Sequence, residues 1–183
     1  YNLTPSDRDT FLHIEGYEDH HVQVVATYDV QKNLTGLVVN VPCPSQESEE
    51  EFEISADWWH ETREELRKRF GDSLYILPQC SAAGDLSPHL LFGQKAHDRM
   101  LALKGRTSRE EIAHRIADAV GEILPYINQV IEWDPAFRHH VETVELPAHV
   151  LTKDEVEGIK QDYDKWCGHV EQEQQKLEKE PEL

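Results

Sequence analysis

Two short apolar runs open the readable part of the chain. Val22-Gln23-Val24-Val25-Ala26-Thr27-Tyr28 and Leu37-Val38-Val39-Asn40-Val41 are separated by a polar stretch holding Asp29, Asn33 and Gly36, which predicts a hairpin with a loop of several residues. The second run is almost wholly apolar, the pattern of a strand covered on both faces. The expected fold class is therefore α/β, a mixed β-sheet with flanking helices. Gln46 to Glu53 is polar and acidic and predicts a solvated loop. Ser55 is placed to cap a helix from about Ala56 to Phe70, with Asp57 in its first turn and Gly71 as its terminator. Trp59, Leu66 and Phe70 share one side of it at helical spacing.

Leu74 to Gln79 predicts a third strand. Beyond a loop, Thr107 or Ser108, each with a glutamate three residues on, opens a second long helix. Ile112, Ile116, Val120 and Ile123 form its apolar stripe, and Pro125 is expected to kink or end it, with Tyr126 to Trp133 adding at most a further turn or two. His139 to Leu146 has extended character. Thr152-Lys153-Asp154-Glu155 caps a third helix with Val156, Ile159, Tyr163 and Trp166 along one face, and Gln172 to Leu183 is polar enough to fray. The layout is one incomplete domain: an irregular lead-in over 1–18, an α/β core over 19–150, and a C-terminal helix with a polar tail over 151–183.

At 183 residues the chain can bury roughly 70% of its unfolded surface, enough for one core. Its 38% hydrophobic and 30% charged content is that of an ordinary soluble protein, but the net charge of −18 should repel nucleic acid and anionic membrane surfaces. No run reaches the roughly 18 apolar residues of a membrane span. Tyr1 to Asp9 carries no start signal, so the chain reads as an internal portion of something longer. Asn2-Leu3-Thr4 and Asn33-Leu34-Thr35 fit the glycosylation triplet, which matters only in a secretory host. Oligomeric state is not legible.

Cys43 and Cys80 each close an apolar strand. Side by side at one sheet edge they could form a disulfide, share a metal, or be small buried residues. Of the eleven histidines, His20-His21 and His139-His140 are adjacent pairs, and neighbours on a strand point to opposite faces, so neither pair is a bidentate metal site. Phosphate-binding glycine patterns and a Gly-x-Ser-x-Gly elbow are absent from the sequence, which disfavours the usual serine hydrolase.

The chemistry concentrates in Gly84-Asp85-Leu86-Ser87-Pro88-His89, carried at the end of Leu74-Tyr75-Ile76-Leu77-Pro78-Gln79-Cys80. A strand that stops at small residues and presents a serine between an acid and a proline holds a hydroxyl rigidly; the structural alternative is a simple Ser-Pro turn. Asp85 could orient a histidine or hold the loop as an Asx turn.

This hexapeptide resembles the Gly-Asp-Val-Ser-Pro-Asn signature of the neutral/alkaline (non-lysosomal) ceramidases. Gly36 to Ser45 resembles that family's strand running into a His-Gly/Ser-Thr-Ser segment, and Ile54-Ser55-Ala56-Asp57 resembles its Ile-Ser-Ser-Asp; the likeness covers about Asp19 to Gly121. The resemblance implies part of a catalytic domain of a zinc-dependent amidohydrolase cleaving the N-acyl bond of ceramide or a related lipid-like amide, secreted or in the cell envelope. It implies Ser87 as the reacting hydroxyl, nucleophile or oxyanion donor, with Gly84, Asp85, His89 and Asp57 in support. Two departures stand out: Cys43 occupies the place of a zinc-binding histidine, and His89 that of the signature's asparagine. A thiolate is a competent zinc ligand, with Zn–S near ~2.3 Å. The family's other ligands, a further histidine, a glutamate and a tyrosine, would lie outside this sequence, so the chain alone is expected to be inactive while the intact protein turns over. The alternatives are a non-catalytic ceramidase-like domain with a degenerate metal site, serving in binding or assembly, and a metal-free serine esterase.

Overall fold

The computed structural model describes residues 11–14, 16–49, 51–90 and 92–179. They fall into two units divided between Asp134 and Pro135.

The first unit is built on a three-stranded sheet of β1 (Gln23–Tyr28), β2 (Leu34–Val41) and β3 (Tyr75–Cys80), in that spatial order. β1 pairs antiparallel to β2 with Val25 opposite Val38, and β3 pairs parallel to β2 with Val41 opposite Cys80, so the sheet is mixed and the α/β class holds. The hairpin turn is tied by Asp29, whose carboxylate accepts from the Gln31 and Asn33 amides at 2.9 and 2.8 Å and from Asn33 Nδ2 at 2.8 Å. These local bonds let Lys32 sit at a φ of 68°, a left-handed conformation that longer side chains avoid. β2 begins three residues earlier than the apolar pattern suggests. Gly36 is consequently a strand residue rather than a turn residue: a Cβ there would stand 2.9 Å from Thr27 Oγ1 and 3.3 Å from the Tyr75 carbonyl, so the central strand needs a residue without one. Pro78 is tolerated because β3 is an edge strand, where a missing N–H need not break a ladder on both sides.

One face of the sheet carries the core. Leu37, Val39 and Val41 of β2 pack with Trp58, Trp59 and Leu66 of α1 (Trp58–Phe70) and with Ile116, Ala117, Val120 and Leu124 of α3 (Ser108–Ile127). The stripe of α3 thus turns toward Ala113, Ile116, Ala117, Val120 and Leu124, and Ile123 is left 43% exposed. Fully burying an aromatic or large aliphatic side chain is worth about 1.5–3 kcal/mol, so Trp58 and Leu66, both at 0% exposure, anchor α1. The opposite face is left uncovered by the rest of the first unit. Val25, Tyr75 and Leu77 are exposed there, contrary to the two-sided burial expected from the apolar run of β2. That run buries on one face, and its remaining apolar members lie on the other.

Asp57, not Ser55, caps α1. Its carboxylate accepts from the Trp58 amide at 2.7 Å, and Ser55 Oγ in turn accepts from the Asp57 amide at 3.0 Å. Thr107 caps α3 in a reciprocal box with Glu110, as the sequence predicts. Pro125 lies within α3 rather than ending it: it sits in the last turn, and the Asn128 amide still reaches the Leu124 carbonyl at 3.0 Å.

The sequence pattern misses α2 (Gln94–Lys104), which opens on Gly93 with no side-chain cap and buries none of its residues. It is secured from its end. The carboxylate of Glu111, 2% exposed, accepts from Lys104 at 2.6 Å, Arg106 at 3.1 Å and Arg115 at 3.1 Å, joining α2, the Gly105 turn and α3. Burial alone would push this carboxyl up; the hydrogen bonds from the three cations overcome it and hold it at about 2.

The second unit holds α4 (Lys153–Lys179), opened by a capping box of Thr152 and Glu155. It continues through Lys179 where fraying is expected from Gln172, because Glu and Gln are good helix formers even without a core. His139 to Leu146 is irregular and pairs with no strand among the described residues. No described helix is long and apolar enough to cross a membrane.

Candidate functional site

β3 ends at Cys80, and the chain turns through Ala83 and Leu86, whose amide reaches the Ala83 carbonyl at 3.2 Å. This turn delivers Ser87 and His89 together. Ser87 Oγ lies 3.1 Å from His89 Nδ1 and accepts from the His89 backbone amide at 3.2 Å. His89 Nε2 is 3.3 Å from the Glu47 carbonyl. A carbonyl can only accept, so in the neutral imidazole this contact puts the ring proton on Nε2 and leaves the Nδ1 lone pair for the serine hydroxyl. The Glu49 and Glu47 carboxylates stand 3.7 and 4.0 Å from the ring nitrogens, and the imidazole is 19% exposed.

The carbonyl that orients His89 is itself fixed by Asp57. That carboxylate accepts from the Glu47 amide at 3.1 Å, the Ser48 amide at 2.7 Å and Ser48 Oγ at 2.5 Å while capping α1. Burial would raise the Asp57 carboxyl, but the Ser48 hydroxyl and the Trp58, Ser48 and Glu47 amides lower it below its ordinary value. A φ of 50° at Asp57 is the backbone cost of bonding in both directions. Asp57 thus fixes the loop that faces His89 and does not itself reach Ser87.

The two remaining sequence candidates on this loop stay apart from the pair. Gly84 has open space around the position of a Cβ, and Asp85 is exposed, with no hydrogen bond to its carboxylate from the described residues. Composition alone places Glu47 and Glu49 in a solvated loop. Nothing in their spacing distinguishes them from their neighbours; the parallel β2–β3 pairing and the Asp57 anchor bring them to His89.

Cys43 and Cys80 do lie at one end of the sheet, Cys80 Sγ reaching the Cys43 carbonyl at 3.6 Å, and both thiols are free. Cys43 Sγ faces the Pro44 carbonyl at 3.6 Å. Burial first, then the charges of Cys80, Glu47 and Asp57, push the Cys43 thiol up to about 11. No group of three or more histidine, cysteine or acidic side chains among the described residues could hold a metal ion. Cys43 and Cys80 are two free thiols at one end of the sheet, and the zinc ligand set that the resemblance implies is not completed by the described residues. With its thiolate population reduced about a hundredfold relative to an ordinary thiol, Cys43 should resist iodoacetamide at pH 8 while the exposed Cys80 is modified. Peptide mapping checks this, and equal labelling of the two would show that Cys43 is not held as described.

A groove of about 500 Å³ between α1 and α3 also gathers histidines and acids: Glu65 pairs with Arg69 at 2.7 Å and His114 at 3.2 Å, and Glu61 pairs with Arg109 at 3.3 Å through Oε1, while its buried Oε2 has no hydrogen-bond partner among the described residues. Comparisons of the chain with family models, with characterised proteins and with solved structures find no match.

Proposed function

We propose that this chain is the serine-bearing part of an amidohydrolase resembling the neutral ceramidases, acting on the N-acyl bond of ceramide or a related lipid-like amide, with Ser87 as the reacting hydroxyl. The observation that carries the reading is the approach of Ser87 Oγ to His89 Nδ1 at 3.1 Å with the other ring nitrogen turned to the Glu47 carbonyl. Such a serine can pass its proton to Nδ1 as Oγ attacks an acyl carbonyl. The imidazolium formed is stabilised by the Glu49 and Glu47 carboxylates. The same proton then goes to the leaving amine nitrogen as the C–N bond breaks, and water releases the acid from Ser87 Oγ. The resemblance adds zinc, to which Cys43 would give one thiolate; a bound zinc supplies Lewis acidity, with its other ligands from outside the described residues.

A second reading has its own support. Cys43 Sγ faces the Pro44 carbonyl at 3.6 Å and burial pushes the thiol up to about 11, which favours a ceramidase-like domain with a degenerate metal site that serves in binding or assembly. Zinc content and fatty acid release from a fluorescent ceramide, measured on the intact protein and on its Cys43→Ala and Ser87→Ala variants, separate the two. Stoichiometric zinc lost with Cys43 and turnover lost with Ser87 support the amidase; a folded, metal-free, inactive protein selects the binding domain. Turnover that survives a chelator but not Ser87→Ala would assign a metal-free serine hydrolase.

A further inference from the structure

α4 presents an apolar seam of Val156, Ile159, Tyr163, Trp166, Val170 and Leu177, and the rest of the second unit leaves each of these side chains at least 38% exposed. The steps of three and four residues between the first five, followed by one of seven, keep a strict heptad. An apolar stripe confined to these two positions per heptad, with Glu155, Lys160, Asp162, His169 and Lys176 beside it, is the narrow seam of a coiled coil. A helix of this length packing on a globular core would instead widen its stripe at a period of 3.6.

The charges beside the seam say what the other helix is. Val156, Tyr163, Val170 and Leu177 take the first core position of the heptad; Ile159, Trp166 and Glu173 take the second. In a parallel pair of identical helices Glu173 would face its own copy in the core, a like-charge contact in a desolvated seam. In an antiparallel pair the layers become Ile159 against Val170, Tyr163 against Trp166, and Val156 against the aliphatic stem of Glu173. The flanking residues then meet as Glu155 with Lys176 and Asp162 with His169, opposite in sign in both cases when the histidine is protonated. Each pair occurs twice by the two-fold symmetry. Glu173 keeps Lys176 of its own helix at 2.6 Å, and opposite Val156 it faces no second carboxylate. We infer that α4 is a self-association element: two copies of this chain pair through their α4 helices as an antiparallel coiled coil centred on Tyr163 and Trp166.

Sedimentation velocity of the full chain across a concentration series tests this. A concentration-dependent dimer is expected, and Ile159→Asp combined with Trp166→Asp should weaken it more than about a hundredfold, since each buried anchor is lost twice in a symmetric interface. Gln161→Asp, on the outer face, should leave the dimer unchanged. Circular dichroism of the seam variant shows whether α4 persists. Orientation is read by mixing Ile159→Cys chains with Val170→Cys chains, oxidising, and mapping the cross-link by mass spectrometry. Cross-links between positions 159 and 170 support the antiparallel pair; cross-links of 159 to 159 overturn it. A chain that stays monomeric at about 100 µM, a concentration that would populate any dimer with micromolar affinity, overturns the proposal entirely, as does a seam variant that dimerises like the native chain.

Discussion

Ser87→Ala is expected to remove nearly all fatty acid release from the intact protein, and the size of the loss assigns the serine its role. Losing one donor to a developing oxyanion costs about 10²–10³ in kcat. Losing a nucleophile costs more, and it also abolishes the burst of an acyl-enzyme, because there is no oxygen left to acylate. His89 provides the companion measurement. If its Nδ1 takes the Ser87 proton, as the 3.1 Å approach implies, then His89→Gln should lower kcat by about 10²–10⁴, the usual reach of a general base. His89→Asn is the sharper variant, since it installs the residue that the ceramidase signature carries at this place. Retained turnover with asparagine would mean that the chemistry does not run through the imidazole; lost turnover, partly restored by added imidazole, would mean that it does. A purely structural role for His89 would not respond to imidazole.

Glu111→Ala is expected to destabilise the first unit by about 3 kcal/mol. Removing one partner of a buried ion cluster typically costs about 3–5 kcal/mol, and the lower end applies because Lys104, Arg106 and Arg115 keep 41%, 32% and 60% of their side-chain surface exposed and can be solvated once the acid is gone. The pH dependence has a definite sign. The folded carboxyl is held at about 2, below its ordinary 4.5, so the unfolded chain binds the proton more readily, and the stabilisation is complete above about pH 5 and disappears as pH falls toward 2. Urea titrations of the native chain and of Glu111→Gln should therefore differ at pH 7 and converge as the pH approaches 2. An unchanged gap across that range would show that the cluster is not the origin of the effect.

Both outcomes depend on loops whose conformations are set elsewhere. Asp57 makes the point for the candidate site: one carboxylate caps α1 and pins the Glu47 and Ser48 amides, so the carbonyl that orients His89 is held by the start of a helix. Glu111 plays the same part for α2, which has no buried residues of its own and depends on ion pairs at its end. The bare outer face of the sheet, with Val25, Tyr75 and Leu77 exposed, and the seam of α4 are surfaces of a different kind, each left uncovered by its own unit.

The local code determined a good deal without help from tertiary contacts. The hairpin polarity, the third strand, the capping boxes of Thr107 with Glu110 and Thr152 with Glu155, the helix end at Gly71 and the Ser-Pro loop after Cys80 are short-range events, decided by side chains within a few residues of one another. The heptad of α4 is equally local. Tertiary structure alone decided the rest, because each remaining feature joins residues far apart in sequence: which face of β2 is buried, the shift of the α3 stripe from Ile123 to Leu124, the existence of α2, the burial of Glu111 among three cations, and above all the meeting of His89 with Glu47. That last contact spans 42 residues and exists because β2 and β3 run parallel, which carries the ends of both strands, and the loops that follow them, to the same edge of the sheet.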